Sequence, residues 1–357
     1  MKFSKISVLG LALVFLASCG SDSDKKKETV KDPISSSQKK WAKLKEDANI
    51  YFKALPSKSE NPANVSSEDK IALGQALYFD NRLSKDQTQS CNTCHDLNNY
   101  GVDSKPVSDG DDGKSKGTRN SPTTLNSSFH ALQFWDGRAK DVEEQAGMPI
   151  TNPVEMNIPN EDFLVKRLKK VPFYKEMFAK AYPDQKSPIS YENVRLAIAS
   201  FERELNTPSK FDQYLAGDDK ALSKEEKEGL REFIDQGCIA CHSGPMVGAA
   251  MMQKFPIFGK YEDYLGGEID YGKATETKKE IDNFMFKVPT LRNVEKTGPY
   301  MHDGSKTDLI EVIKLMSKAE LNRDINDAQA KKIETFLKTL SGELDAKYKK
   351  APEGVIM

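Results

Sequence analysis

Cys91-Asn92-Thr93-Cys94-His95 and Cys238-Ile239-Ala240-Cys241-His242 are two copies of one pattern. C-x-x-C-H is the spacing of a c-type haem attachment site. Two thiols add across the porphyrin vinyl groups, and the adjacent imidazole coordinates the iron from below. The rival reading is a pair of redox or zinc-binding CxxC sites. Zinc needs four ligands gathered in one place, and these pairs lie in separate segments of the chain. The motifs therefore predict two covalent haems c, one on Cys91, Cys94 and His95, the other on Cys238, Cys241 and His242.

Working outward, each motif follows a helical signal. Residues 66–80 read SSEDKIALGQALYFD, in which Ser66 or Ser67 can cap a helix carrying Ile71, Leu77 and Tyr78. Residues 222–237 read LSKEEKEGLREFIDQG; Ser223 and Glu226 fit a capping box, and Leu230, Phe233 and Ile234 form the apolar face. Helix, short link and C-x-x-C-H thus recur, with 147 positions between His95 and His242, as an internal duplication. A last helix from about Asn326 carries Ile333, Phe336, Leu337 and Leu340 on one stripe and should close a core. The chain of 357 residues is only 38% hydrophobic and 30% charged, lean for two cores. Two porphyrins would supply the missing apolar volume.

The other cysteine gives an address. Lys2 and Lys5 precede an apolar run from Ile6 to Leu16, too short to span a bilayer. Leu16-Ala17-Ser18-Cys19 resembles a bacterial lipobox, so residues 1–18 are expected to be a lipoprotein signal peptide and Cys19 the lipidated first residue. The expected location is the periplasm or cell envelope, with membrane contact through the lipid only. Residues 19–40 read as a disordered polar tether. Cleavage would remove Lys2 and Lys5, taking 53 basic residues to 51 against 54 acidic, a net charge of −3. That balance excludes nucleic-acid binding through bulk positive charge.

Over essentially all of residues 60–345 the chain resembles the bacterial di-haem cytochrome c peroxidases. The stretches that carry the resemblance are RNSPTTLNSSFHALQFWDGRAKDVEEQA (119–146), TNPVEMN (151–157), FDQYLAGDDKALSKEEKEGL (211–230), VPTLRNVEKTGPYMHDGS (288–305) and VIKLMS (312–317). The resemblance implies a mainly α fold of two cytochrome c-like domains, residues 41–206 and 207–345, facing each other across a calcium-bearing interface, with a tail at 346–357. It further implies that the N-terminal haem meets hydrogen peroxide and that the C-terminal haem receives electrons from a small c-type cytochrome or cupredoxin. Position by position, Trp135 matches an electron relay between the haems. Gln145 and Glu155 match the polar pair of the peroxide pocket. Met316 matches the distal ligand of the C-terminal haem, and Asn120, Thr297 and Pro299 match the protein ligands of Ca2+. A homodimer is common in such proteins. Taken alone, Glu155 would read as a surface carboxylate, Met316 and Trp135 as core residues, and Asn120 and Thr297 as loop residues.

One departure stands out. The family often carries a histidine ligand in the loop after the first motif, but here residues 96–118 read DLNNYGVDSKPVSDGDDGKSKGT and hold none, with Asp111 and Asp112 in the corresponding region. A five-coordinate or water-ligated N-terminal haem that needs no reductive activation is therefore expected; His130, the one other histidine of that domain, is the alternative sixth ligand. His302 is expected to hydrogen-bond near the second haem. Two other function classes share these motifs: a di-haem enzyme that uses peroxide to oxidise a partner protein or an organic substrate, and a non-catalytic di-haem electron carrier. Met316 argues against the first, and the missing loop histidine against the second.

Overall fold

A computed structural model describes residues 35–357, so the expected signal peptide at residues 1–18 and the expected lipidation at Cys19 lie outside the described residues. The described chain is mostly helical. In order, the helices are α1 (Ser36–Tyr51), α2 (Glu68–Phe79), α3 (Cys91–Cys94), α4 (Val142–Gln145), α5 (Met148–Thr151), α6 (Glu161–Leu168), α7 (Pro172–Ala181), α8 (Tyr191–Glu202), α9 (Lys210–Leu215), α10 (Lys224–Asp235), α11 (Ala274–Thr277), α12 (Leu309–Leu321) and α13 (Asp327–Leu337). One antiparallel ribbon, β1 (Met252–Lys254) with β2 (Met285–Lys287), pairs Gln253 with Phe286. No described helix is long and apolar enough to cross a membrane.

The helix signals read from the sequence take the expected form. Ser67 caps α2 through the Lys70 N–H, and Leu77 and Tyr78 are buried. Ser223 and Glu226 form the reciprocal capping box of α10, which buries Leu230 and Phe233. Asn326 caps α13, whose buried stripe includes Ile333, Phe336 and Leu337. At the N-terminal end the expected tether is too long by one turn. Ser35 and Gln38 form a capping box, and Ser36–Lys40 begin α1. Two orphan N–H groups satisfied at once outweigh the polar composition of that turn.

Two larger apolar cores result. The first gathers α2, α6, α7 and α8 around Leu77, Tyr78, Phe178 and Phe201, with Cys91 against it. The second gathers α9, α10 and α13 around Phe211, Phe233 and Phe336, with Cys238 against it. The ends of the chain cross over. Leu44 and Ala48 of α1 join the second core, and Leu344 and Tyr348 join the first. Each core depends on one glycine. A Cβ on Gly74 of α2 would strike the Ala197 carbonyl of α8, and one on Gly229 of α10 would strike the Lys332 carbonyl of α13; only glycine lets these backbones come so close.

Two buried bidentate ion pairs pin the frame. Arg203 grips Glu143, with Nη2 at 2.6 and 2.7 Å, and Arg292 grips Asp212 at 2.8 and 2.7 Å. Removing either partner would leave the other charge uncompensated in the interior. A third, smaller cluster contains Phe255, Tyr261 and Phe286, with Trp135 and Met316 packed on it.

Candidate haem and peroxide sites

The first motif is one helical turn, α3, closed by the His95 N–H on the Cys91 carbonyl at 3.0 Å. Tyr78 anchors the turn, its hydroxyl donating to the His95 carbonyl at 2.8 Å. Burial lowers the pKa of His95, so its ring is neutral at pH 7. The second motif is a 3-10 turn, Cys238–Ala240, with His242 beyond it. There Nδ1 lies 3.3 Å from the Val247 carbonyl, and burial pushes the pKa down to about 4. A neutral imidazole whose Nδ1–H is engaged presents Nε2 as a ligand.

No disulfide joins the four cysteines of the motifs. Burial pushes Cys94 up to about 11 and Cys238 up to about 12, and raises Cys91 and Cys241 as well. Cys91 packs against the first core and Cys238 against the second, so both thiols have apolar surroundings. Among the described residues no three His, Cys, Asp or Glu side chains gather as a metal cluster. The two motifs lie against separate cores, which argues against one shared zinc site and fits a flat apolar group at each.

A cavity of about 230 Å³ opens beside the second motif. Cys238, Cys241, His242 and Met316 line it together, as do Trp135, His302, Asn120, Thr297 and Pro299. It also holds a basic pair that the sequence reading did not foresee. Lys287 is 6% exposed and its Nζ lies 3.3 Å from His130 Nδ1, while His130 Nε2 has no partner. Burial brings Lys287 down to about 8 and holds His130 well below its ordinary value. Such a pair facing an apolar cavity suits the carboxylates of a porphyrin. His130, weighed as a substitute ligand for the first haem, opens instead on the cavity of the second motif.

Trp135 is fixed at both ends. Its Nε1 donates to the Asn120 carbonyl at 2.9 Å, and its own carbonyl accepts from the Lys287 N–H at 2.7 Å. The Asn120 N–H donates to the His302 carbonyl at 2.8 Å, and Asn120 Nδ2 is committed to the Lys105 carbonyl at 2.9 Å, leaving Oδ1 for another partner. His302 is 3% exposed and meets the Tyr261 hydroxyl at 2.8 Å.

Glu155 stands on the other side, near the first motif, where its charge acts on Cys94. Asn152 builds its loop. Nδ2 donates to Glu155 Oε1 at 2.8 Å, and Oδ1 accepts from the Val154 N–H at 3.2 Å. Burial raises the Glu155 pKa, opposed by the positive charge of Arg138 and by the Asn152 bond. Arg138 stacks over Phe134 at 3.5 Å and holds Asp136 at 2.7 Å. It lies within the stretch 119–146, but nothing about a lone arginine marks it beforehand. Gln145 ends α4, its N–H on the Asp141 carbonyl at 3.1 Å. Asp111 is buried and turned away from any ligand role. Its carboxylate accepts from the Asp86 N–H and the Thr88 hydroxyl, each at 2.7 Å. Asp112 is likewise committed, to the N–H groups of Lys114 and Ser115.

These features are those of a di-haem c-type oxidoreductase, and comparison with known proteins agrees. Residues 68–220 match the family model described as di-haem cytochrome c peroxidase. The chain is 41% identical over 302 residues to the cytochrome c551 peroxidase of Pseudomonas aeruginosa, covering 84% of this chain and 87% of that one. It is 43% identical over 289 residues to the cytochrome c551 peroxidase of Nitrosomonas europaea, covering 81% and 84%. Among solved structures, a MauG-like protein associated with microbial copper homeostasis superposes with a TM-score of 0.74 at 27% identity, over 84% of this chain and 97% of that one. The chain belongs to the di-haem cytochrome c peroxidase family. It is an oxidoreductase acting on peroxide, and its family supports two haem c groups.

Proposed function

We propose that the protein reduces hydrogen peroxide to water at the first motif, with electrons from a small c-type cytochrome or cupredoxin entering at the second. The observation that carries this reading is the partly buried Glu155 carboxyl beside the first motif, held by Asn152 and pushed up in pKa by burial. In this reading Cys91, Cys94 and His95 would hold one haem, and Cys238, Cys241, His242 and Met316 would hold the other. Residues 41–206 and 207–345 would be the two haem units, with 346–357 as a tail. When bound, the two haem irons would supply peroxide binding and reversible one-electron storage, which no side chain here provides.

The residues have distinct tasks. Cleaving the O–O bond into two waters requires a proton to leave one peroxide oxygen and arrive on the other. Glu155 makes that transfer as general base and then acid, and a pKa raised toward neutrality suits both roles. Asn152 fixes the carboxyl, and Gln145 offers an amide to orient peroxide. Trp135, on the cavity of the second motif, passes the second electron toward the first. Lys287 and His130 hold carboxylates of the second haem. Asn120, Thr297 and Pro299 supply oxygen donors to Ca2+, a set that a hard cation accepts. Cys19 carries a lipid that anchors the exported protein at the cell envelope, and a homodimer is the expected assembly.

A test is steady-state peroxide consumption with a reduced small cytochrome or copper protein as the sole electron source. The expected result is one peroxide consumed for two donor molecules oxidised. Peroxide consumption without donor oxidation would overturn the reading.

A further inference from the structure

An aromatic chain leads away from Trp135 and ends at the surface. The Trp135 ring stands edge-on to His302 at 6.2 Å. His302 meets Tyr261 at 5.8 Å, with the Tyr261 hydroxyl on its Nε2 at 2.8 Å. Tyr261 packs on Phe284 at 5.7 Å, and Phe284 on Tyr271 at 5.5 Å. All four separations fall in the range of direct ring contact. Tyr261 is 4% exposed and His302 3%, whereas Tyr271 is 48% exposed. The outer end is held firmly. The Phe284 N–H donates to the Tyr271 carbonyl at 2.9 Å, and Gly272, at φ +60°, lies so close to the Met285 carbonyl that no Cβ would fit. None of Tyr261, Phe284 and Tyr271 has a task in peroxide reduction with a donor protein.

A buried tyrosine bonded to an imidazole is more than packing, because oxidising a phenol releases its proton and a buried phenol needs a base at hand. We propose that Tyr261 and Tyr271 are an outlet for oxidising equivalents from Trp135, giving the protein a second activity, the peroxide-driven one-electron oxidation of small phenols at its surface. This rests on the reading of Trp135 as the electron relay. Trp135, having passed an electron toward peroxide, takes one from Tyr261. The Tyr261 O–H bond breaks, and its proton moves to His302 Nε2. Tyr271 then gives an electron to Tyr261, which recovers its proton from His302, while Tyr271 releases its own to water. A phenol in solution returns an electron and a proton to Tyr271. Two such passes supply the two electrons and two protons that peroxide needs, so one hydrogen peroxide and two phenols give two waters and two phenoxyl radicals.

The test treats the holoenzyme with hydrogen peroxide and a nitroso spin trap without donor protein, locates the adduct by peptide mass spectrometry, and measures guaiacol oxidation in parallel. The wild type should carry the adduct on Tyr271. Tyr271→Phe should abolish it, and both Tyr271→Phe and Tyr261→Phe should lower guaiacol oxidation by about tenfold or more, with donor-supported peroxide reduction unchanged. Guaiacol oxidation unaltered in both variants would overturn the outlet. So would a wild type that lacks the adduct while reducing peroxide normally with a donor, and there the Trp135 reading would stand. A Trp135→Phe variant that keeps full donor-supported turnover would overturn the relay and the outlet with it.

Discussion

The main-chain N–H of Asp111 donates to the Glu155 carbonyl at 2.8 Å. This single bond ties the loop after the first haem motif to the loop that presents the candidate acid–base residue. The Asp111 carboxylate secures the other side through the Asp86 N–H and the Thr88 hydroxyl. Burial pushes that carboxyl up, and the bonds from Ser84, Asp86 and Thr88 outweigh it, so it stays below its ordinary range. The loop is thus held beside Glu155 by a group that cannot ligate iron.

This arrangement predicts an enzyme that is ready as isolated. The oxidised protein should turn over peroxide without prior reduction, and its spin-resonance spectrum should contain a high-spin ferric component. Two purely low-spin ferric haems would contradict the expectation. Asp111→Ala should cost about 2 kcal/mol of stability, because it removes hydrogen bonds to a charged acceptor, and should lower turnover by loosening the Glu155 loop. Thermal melts and turnover of the two proteins check this.

Glu202, 4% exposed at the end of α8, has no hydrogen-bond partner for Oε2 and is pushed up to about 8 by burial and by the nearby Glu143 charge. Between its ordinary value near 4.5 and about pH 8, the folded state holds a proton that the unfolded state has lost. Stability contributed by this group is therefore full at low pH and declines as pH rises, by about 1.4 kcal/mol per pH unit in that window. Glu202→Gln should flatten the fall of melting temperature between about pH 4.5 and pH 8. Parallel curves for the two proteins would refute this.

Lys287 faces the second cavity with its charge only partly offset by Asp136. A buried positive charge disfavours the more positive ferric state, so Lys287→Met should lower the midpoint potential of the haem on Cys238 and Cys241. Redox titration of the two proteins reads the effect.

Asn120, Thr297 and Pro299 open on the same cavity as Trp135 and His242, so a cation held there would brace the path between the sites. Chelation should lower both the melting temperature and donor-supported turnover, and added Ca2+ in excess of the chelator should restore them. Stability unaffected by a calcium-selective chelator would remove the ion from the account.

What the sequence revealed depended on the range of each signal. The helices before both motifs were legible because capping and apolar spacing are local, and Ser67, Ser223 and Asn326 take the places the pattern assigns. The first turn of α1 was missed because a Ser-Gln capping box in a polar stretch resembles a tether. The crossing of α1 and the residues around Tyr348 between the cores was not legible at all, since pairing across the chain leaves no local mark. Family resemblance named Trp135, Glu155 and Met316, but the residues around them depend on contacts distant in sequence. Lys287 meets His130 from 157 positions away, and Tyr261 meets His302 from 41.

In the proposed mechanism Glu155 moves the proton during O–O cleavage. Its most direct test is rapid mixing of hydrogen peroxide with the wild type and with Glu155→Gln, following the haem spectrum across pH. The variant keeps the size and hydrogen-bonding capacity of the side chain but cannot accept and return a proton. The expected result is that the peroxide reaction slows by about 10²- to 10⁴-fold and loses the pH dependence of one ionising group, with both haems still attached. A Glu155→Gln protein that reacts with peroxide as fast as the wild type would contradict it.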